Sequence, residues 1–183
     1  MIFLPRRALL LGGLSWPVLA RADGVGFALQ DGKGKTITLA QFRGRYVVVF
    51  FGYTRCPDVC PATLHNLAVA LQKIDPGGQR FAALFISLDA VHDSPAMVAR
   101  YAALFSPRIE GLGGSAAQIR QAAAAFNVYA AWPQGPNGPL VHSALIYLVG
   151  PSGQLVDVLP DGLNAPALTQ ALARWASRYG SAG

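Results

Sequence analysis

The chain has 183 residues, 52% hydrophobic and 13% charged, with a formal net charge of +6. That length and apolar content suit one globular domain with a sizeable core. The basic residues are scattered and no basic patch is interleaved with aromatics, which argues against a nucleic-acid partner.

Residues 1–22 read as a signal peptide or an N-terminal membrane anchor, followed by one domain over 23–183. Arg6-Arg7 precede an uncharged stretch from Ala8 to Ala20, and Ala20-Arg21-Ala22 resembles a cleavage site. The run is short for a membrane span, which needs about twenty residues, and Pro17 interrupts it. The paired arginines also fit a twin-arginine export signal. Both routes place the protein in the periplasm, or on the inner membrane facing it. Three of the fifteen Lys and Arg lie in this segment and none of the nine acids, so its removal leaves +3.

Phe27 to Leu39, broken by Asp31-Gly32-Lys33-Gly34-Lys35, predicts a hairpin with a glycine-rich turn. Tyr46 to Phe51 is a continuous β-branched and aromatic run, as in a strand buried on both faces. Pro61 suits a first helical position, and Leu64, Leu67, Leu71 and Ile74 continue at helical spacing until Pro76-Gly77-Gly78. Phe81 to Leu88 predicts a second buried strand, and Ser94-Pro95 the start of a second helix. Ser115 to Gln118 is a capping-box pattern heading a third helix to Phe126. Asn127 to Val141, rich in Pro and Gly, predicts a loop. Ala144 to Val149 and Gln154 to Leu159 predict a hairpin, and Asn164 to Tyr179 a closing helix. Strands alternating with helices, then a terminal hairpin, indicate an α/β fold with a mixed β-sheet covered by helices on both faces, preceded by an N-terminal β-hairpin.

The chain's only cysteines, Cys56 and Cys60, stand where the first buried strand meets its helix, in Phe51-Gly52-Tyr53-Thr54-Arg55-Cys56-Pro57-Asp58-Val59-Cys60-Pro61. Such a corner favours thiolates and leaves them reachable. Residues four apart on a helical turn face the same way, so two sulfurs can share one soft metal ion or cycle between dithiol and disulfide. A purely structural bridge fits less well, because closing so short a loop removes little unfolded-chain entropy. Pro57 and Pro61 stiffen the turn.

These motifs, with Phe85-Ile86-Ser87-Leu88-Asp89, Asp93-Ser94-Pro95 and His142-Ser143 ahead of Leu145 to Pro151, resemble the Sco/SenC family of copper proteins within the thioredoxin-like superfamily. The resemblance runs from about Phe27 to Trp175. It implies a thioredoxin-like fold and a copper site made by Cys56, Cys60 and His142, holding Cu(I) or Cu(II). His142 stands in the slot where redox-active thioredoxin-like proteins commonly carry a cis-proline, and the Gly/Pro-rich loop before it gives it room to swing. The implied role is a periplasmic metallochaperone for the copper A centre of cytochrome c oxidase. Its partners would be subunit II of the oxidase or another copper-receiving protein, and a copper donor chaperone. The alternative is a thiol–disulfide oxidoreductase in which Cys56 and Cys60 form the redox-active pair.

The chain departs from the family pattern at Val141, where an acidic residue often precedes the metal-binding histidine, and at Ala90 and His92 in Asp89-Ala90-Val91-His92-Asp93. His92 reads as an exposed residue ahead of a helix in preference to an auxiliary ligand. Asp89 reads equally as a group near the metal turn or as a loop brace, Asp58 as a brace for the turn's amides, and His65 as a bystander.

Overall fold

The computed structural model describes residues 25–135 and 137–178. The expected signal or anchor over 1–22 lies outside them, as does Tyr179 at the end of the expected closing helix. Among the described residues no helix is long and apolar enough to cross a membrane.

The first hairpin pairs β1 (Ala28–Gln30) with β2 (Thr36–Thr38). Its turn is built by Asp31, whose carboxylate accepts from the amides of Lys33 at 2.8 Å and Lys35 at 2.9 Å. Gly34 supplies the positive φ of 80° that the turn requires. A short 3₁₀ turn over Leu39–Phe42 leads into β3 (Tyr46–Gly52), which is buried along its whole length. The chain then runs through α1 (Val59–Ile74), β4 (Phe81–Ser87), α2 (Pro95–Ala103), β5 (Ile109–Leu112) and α3 (Ala116–Ala125). It ends with β6 (Ala130–Ala131), β7 (Val141–His142), β8 (Leu145–Val149), β9 (Leu155–Pro160) and α4 (Ala165–Ala176).

The main sheet has the order β5-β4-β3-β8-β9. β3, β4 and β5 are parallel, while β8 and β9 join antiparallel. Alternation along β3 divides the core. Val47, Val49 and Phe51 face α3 and the first hairpin, whereas Tyr46, Val48 and Phe50 face α1, α2 and α4. This is the expected thioredoxin-like mixed sheet covered on both faces, and the Ser115–Gln118 capping box closes as the sequence predicts.

Two elements depart from the sequence reading. β5 went unpredicted, because Ile109-Glu110-Gly111-Leu112 is a short edge strand whose register comes only from β4. The predicted loop over 127–141 contains β6 and ends in β7, which pair in a two-stranded ribbon with Ala130 opposite His142.

Asp75 ties the end of α1 to the start of β4. Its carboxylate is buried and accepts from the amides of Gln79, Arg80 and Phe81 at 2.9–3.1 Å and from the Arg108 guanidinium at 3.2 Å. Burial alone would raise its pKa, but the three amides and Arg108 outweigh that and hold it below the ordinary carboxylate value. A depressed folded pKa contributes stability above the unfolded value, about 3.9, and loses it as the pH falls through the folded one. Asp75→Ala is therefore expected to lower stability by about 2 kcal/mol at pH 6. The gap to wild type should narrow below about pH 4; urea midpoints across that range measure it.

Candidate metal centre

Gly52 ends β3 and the chain turns through Tyr53, Thr54 and Arg55 to Cys56, then enters α1 one residue before Cys60. Both cysteines are free thiols. Cys60 is fully buried and Cys56 is half-buried, with the Cys60 amide donating to Cys56 Sγ at 3.4 Å. Burial pushes the Cys60 thiol well above its usual pKa, more than the hydrogen bond from Tyr53 lowers it. The corner was expected to favour thiolates. At Cys60 it does the reverse, because desolvation outweighs the helix N-terminus.

The absence of a side chain at position 52 makes the seat for Cys60. A Cβ there would stand 2.7 Å from Cys60 Sγ and 2.9 Å from the Phe85 ring. Gly52→Ala is expected to destabilise the fold by about 1–3 kcal/mol through overpacking and to shift Cys60. Thermal unfolding together with thiol counting on the native protein checks both effects.

Two buried carboxylates hold the turn from behind. Asp93 accepts from the Thr54 amide at 2.8 Å, the Thr54 hydroxyl at 2.5 Å and the Ser87 hydroxyl at 2.6 Å. Asp89 accepts from Arg55 Nη2 at 2.9 Å and from the His92 amide at 3.2 Å, and its oxygens lie 2.9 Å from His92 Nδ1. Burial raises the Asp89 pKa, but Arg55 and His92 bring it below the usual carboxylate value. Asp89 thus braces its own loop and also grips the residue before Cys56.

His92 is not the detached exposed residue that the sequence suggested. It sits between Asp89 and Arg55, with Nδ1 2.8 Å from Arg55 Nη2. Asp58 is exposed at the head of α1 and its side chain caps no amide, so the expected bracing falls to Asp93. Sequence reasoning passed over Asp93, Thr54 and Arg55 as site residues. Their signal was membership of the quoted motifs, Thr54 and Arg55 ahead of Cys56 and Asp93 ahead of Ser94-Pro95, and an acid two residues before a helix-opening proline also fits an ordinary helix start. His65 is exposed on α1, as expected.

His142 stands on β7, half-buried, with its ring edge-on to Tyr53 at 6.1 Å between centroids. Its Nδ1 lies 3.0 Å from the Ser143 carbonyl. Donation there leaves Nε2 as the free donor to a metal, an orientation commonly found in metal-binding histidines. Burial raises the Tyr53 pKa, and the charges of Cys56 and Cys60 raise it further, so the phenol stays neutral. Among the described residues no three His, Cys, Asp or Glu side chains are already gathered for a metal ion. The thiols are paired, and His142 is not gathered with them.

A thioredoxin-like sheet that presents a thiol pair at the head of its first helix, with a histidine on a separate ribbon, defines a thiol protein suited to a soft metal or to redox exchange. A family model described as SCO1/SenC matches residues 20–177, and the chain belongs to that family. It is 36% identical over 160 residues to the mitochondrial SCO2 homolog of Bos taurus, a match covering 85% of this chain and 60% of that protein. The chain thus spans about 60% of that relative's length. Among solved structures, it is similar to copper-bound ScoI of Arabidopsis thaliana, with a TM-score of 0.78 at 30% identity, covering 85% of this chain and 99% of that one. Copper-bound ScoI of Bradyrhizobium japonicum gives a TM-score of 0.73 at 34% identity, covering 85% and 98%.

One expectation is corrected by these relatives. The sequence reading placed the protein in the periplasm, whereas several of the curated relatives it matches are mitochondrial proteins. A charged and apolar leader names no compartment by itself, since leaders for different membranes share that composition.

Proposed function

We propose that residues 23–183 form one copper-carrying domain, in which Cys56 and Cys60 bind the ion as thiolates and His142 supplies the third donor through Nε2. The observation that carries this reading is the thiol pair where β3 runs into α1, one sulfur buried and one half-exposed, together with a histidine on the β6–β7 ribbon whose Nδ1 is already turned to a carbonyl. The donor set fits copper. Thiolates and an imidazole suit Cu(I) and tolerate Cu(II), and three protein donors fall short of the four that a structural zinc site usually has. The copper held by the relatives in solved structures supports the same choice.

Copper here is cargo. The half-exposed Cys56 is the sulfur a recipient reaches first, and Cys60 is the last to be displaced. We place the recipient in cytochrome c oxidase assembly, at the copper A centre of subunit II. An anaerobic Cu(I) titration of the reduced protein against a competing chelator tests the site: one tightly held ion per chain is expected, and failure to compete overturns it.

A thiol–disulfide exchange role is the second reading, favoured by the asymmetry of burial. Cys56 is the sulfur open to attack on a partner disulfide, and Cys60 lies beside it to resolve the mixed species. A readily cycled Cys56–Cys60 disulfide without competitive copper binding would select it.

A further inference from the structure

Cys60 lies in an apolar core cluster against which Cys56 and Tyr101, from α2, also pack. Among the described residues of that cluster and its margin, Tyr101 Oη is the one buried side-chain oxygen or nitrogen with no hydrogen-bond partner. The Trp175 indole at the same margin donates to Asp157 at 2.9 Å. Packing does not account for the hydroxyl. The ring lies against Phe85 at 5.5 Å and Phe105 at 5.3 Å between centroids, contacts that a phenylalanine would make equally well. A buried donor without an acceptor weakens a fold, and such a group in a native structure calls for a role.

The surroundings of the phenol point to the thiol pair. Phe85, its ring neighbour, meets Cys60 over Gly52: the position a Cβ would take there is 2.7 Å from Cys60 Sγ and 2.9 Å from Phe85 Cε2. Burial pushes the Tyr101 pKa up to about 12, and the charges of Cys60, Cys56 and Asp93 act in the same direction, Cys60 most of the three. The hydroxyl therefore keeps its proton and remains a donor. Asp93 is already engaged by Thr54 and Ser87. A neutral thiol is a weak acceptor, whereas hydrogen bonds to an ionised acceptor are roughly twice as strong as neutral ones.

We propose that Tyr101 is a positioning residue of the metal site, whose phenol donates to Cys60 Sγ when that sulfur holds the ion as a thiolate. The proposal rests on the metal-binding reading above. The unpaired hydroxyl is unfavourable before the ion arrives and favourable afterwards, so deleting it has opposite effects on the two states. A phenol that served Asp93, or one that only filled space, would instead cost stability in the metal-free protein when cut back.

The test compares the full, reduced chain with Tyr101→Phe in three measurements. Thermal unfolding is followed without metal, Cu(I) affinity by chelator competition, and Cd(II) affinity by the ultraviolet thiolate–metal band. The expected result is about tenfold weaker binding of both ions, with a metal-free Tm no lower than that of the parent chain. Unchanged affinities overturn the proposal. So does a fall in metal-free Tm alongside the weaker binding, because that is the mark of a structural role. Failure of the parent chain to compete for Cu(I), with the Cd(II) loss still seen in Tyr101→Phe, removes the copper assignment and leaves this inference standing. A parent chain that binds neither ion overturns both.

Discussion

In the anaerobic Cu(I) titration, Cys60→Ser is expected to lose at least about a thousandfold in affinity, some 4 kcal/mol, and His142→Ala only about ten- to a hundredfold. The asymmetry follows from donor softness and position. Cu(I) selects thiolates over oxygen donors, and Cys60 is the fully buried member of the pair, so a serine there leaves a hydroxyl that is a poor ligand in an apolar seat. His142 stands apart on a separate ribbon, and its loss leaves both sulfurs in place. Chelator competition on the three proteins checks this. Equal losses for the two variants would mean that the imidazole is as essential as the thiolates, and an unaffected Cys60→Ser would remove the thiol pair from the site.

Asp93→Ala is expected to be the most damaging change outside the cysteines. The carboxylate is 2% exposed and takes three hydrogen bonds, two from Thr54 in the turn before Cys56 and one from Ser87 at the end of β4. Its removal strands those donors, each at about 1–3 kcal/mol, and the effects within one network do not simply add. A net loss of about 3 kcal/mol corresponds to a fall in Tm of roughly 10 °C for a domain of this size. Thr54→Val, which keeps the amide and deletes only the hydroxyl, should lose about 1 kcal/mol. Thermal unfolding of the reduced, metal-free protein measures both, and a loss below that of Thr54→Val would show that Asp93 is not the anchor. Copper affinity should fall with Asp93→Ala as well, because the turn before Cys56 loses its attachment to β4.

The elements that announced themselves were those whose pattern is local. Tyr46 to Phe51 and Phe81 to Ile86 are apolar at every position, as strands covered on both faces must be, and both lie in the interior of the sheet. Ser115 and Gln118 close their capping box within four residues, so no distant contact was needed to predict it. β5 was invisible because Glu110 and Gly111 interrupt any alternation, and the segment is a strand only through its pairing with β4. The same holds for Ala130–Ala131 and Val141–His142, which are strands by virtue of each other.

The site divides along the same line. Two cysteines four apart at a strand–helix junction, with a histidine ahead of a late strand, are a matter of spacing, and the chain alone supplies it. What they meet in space depends on folding. Desolvation raises the Cys60 thiol where the junction by itself suggested the opposite. Asp93 is bound to the turn from thirty-nine residues away, and Asp89 reaches Arg55 across thirty-four. Tyr53 stands edge-on to His142. The candidate soft-metal donors were legible in the chain alone, because donor identity and sequence spacing are local properties. Which sulfur is buried and what anchors the turn emerge only on folding, because burial and long-range hydrogen bonds exist only once the β3–β4 sheet has brought distant segments together.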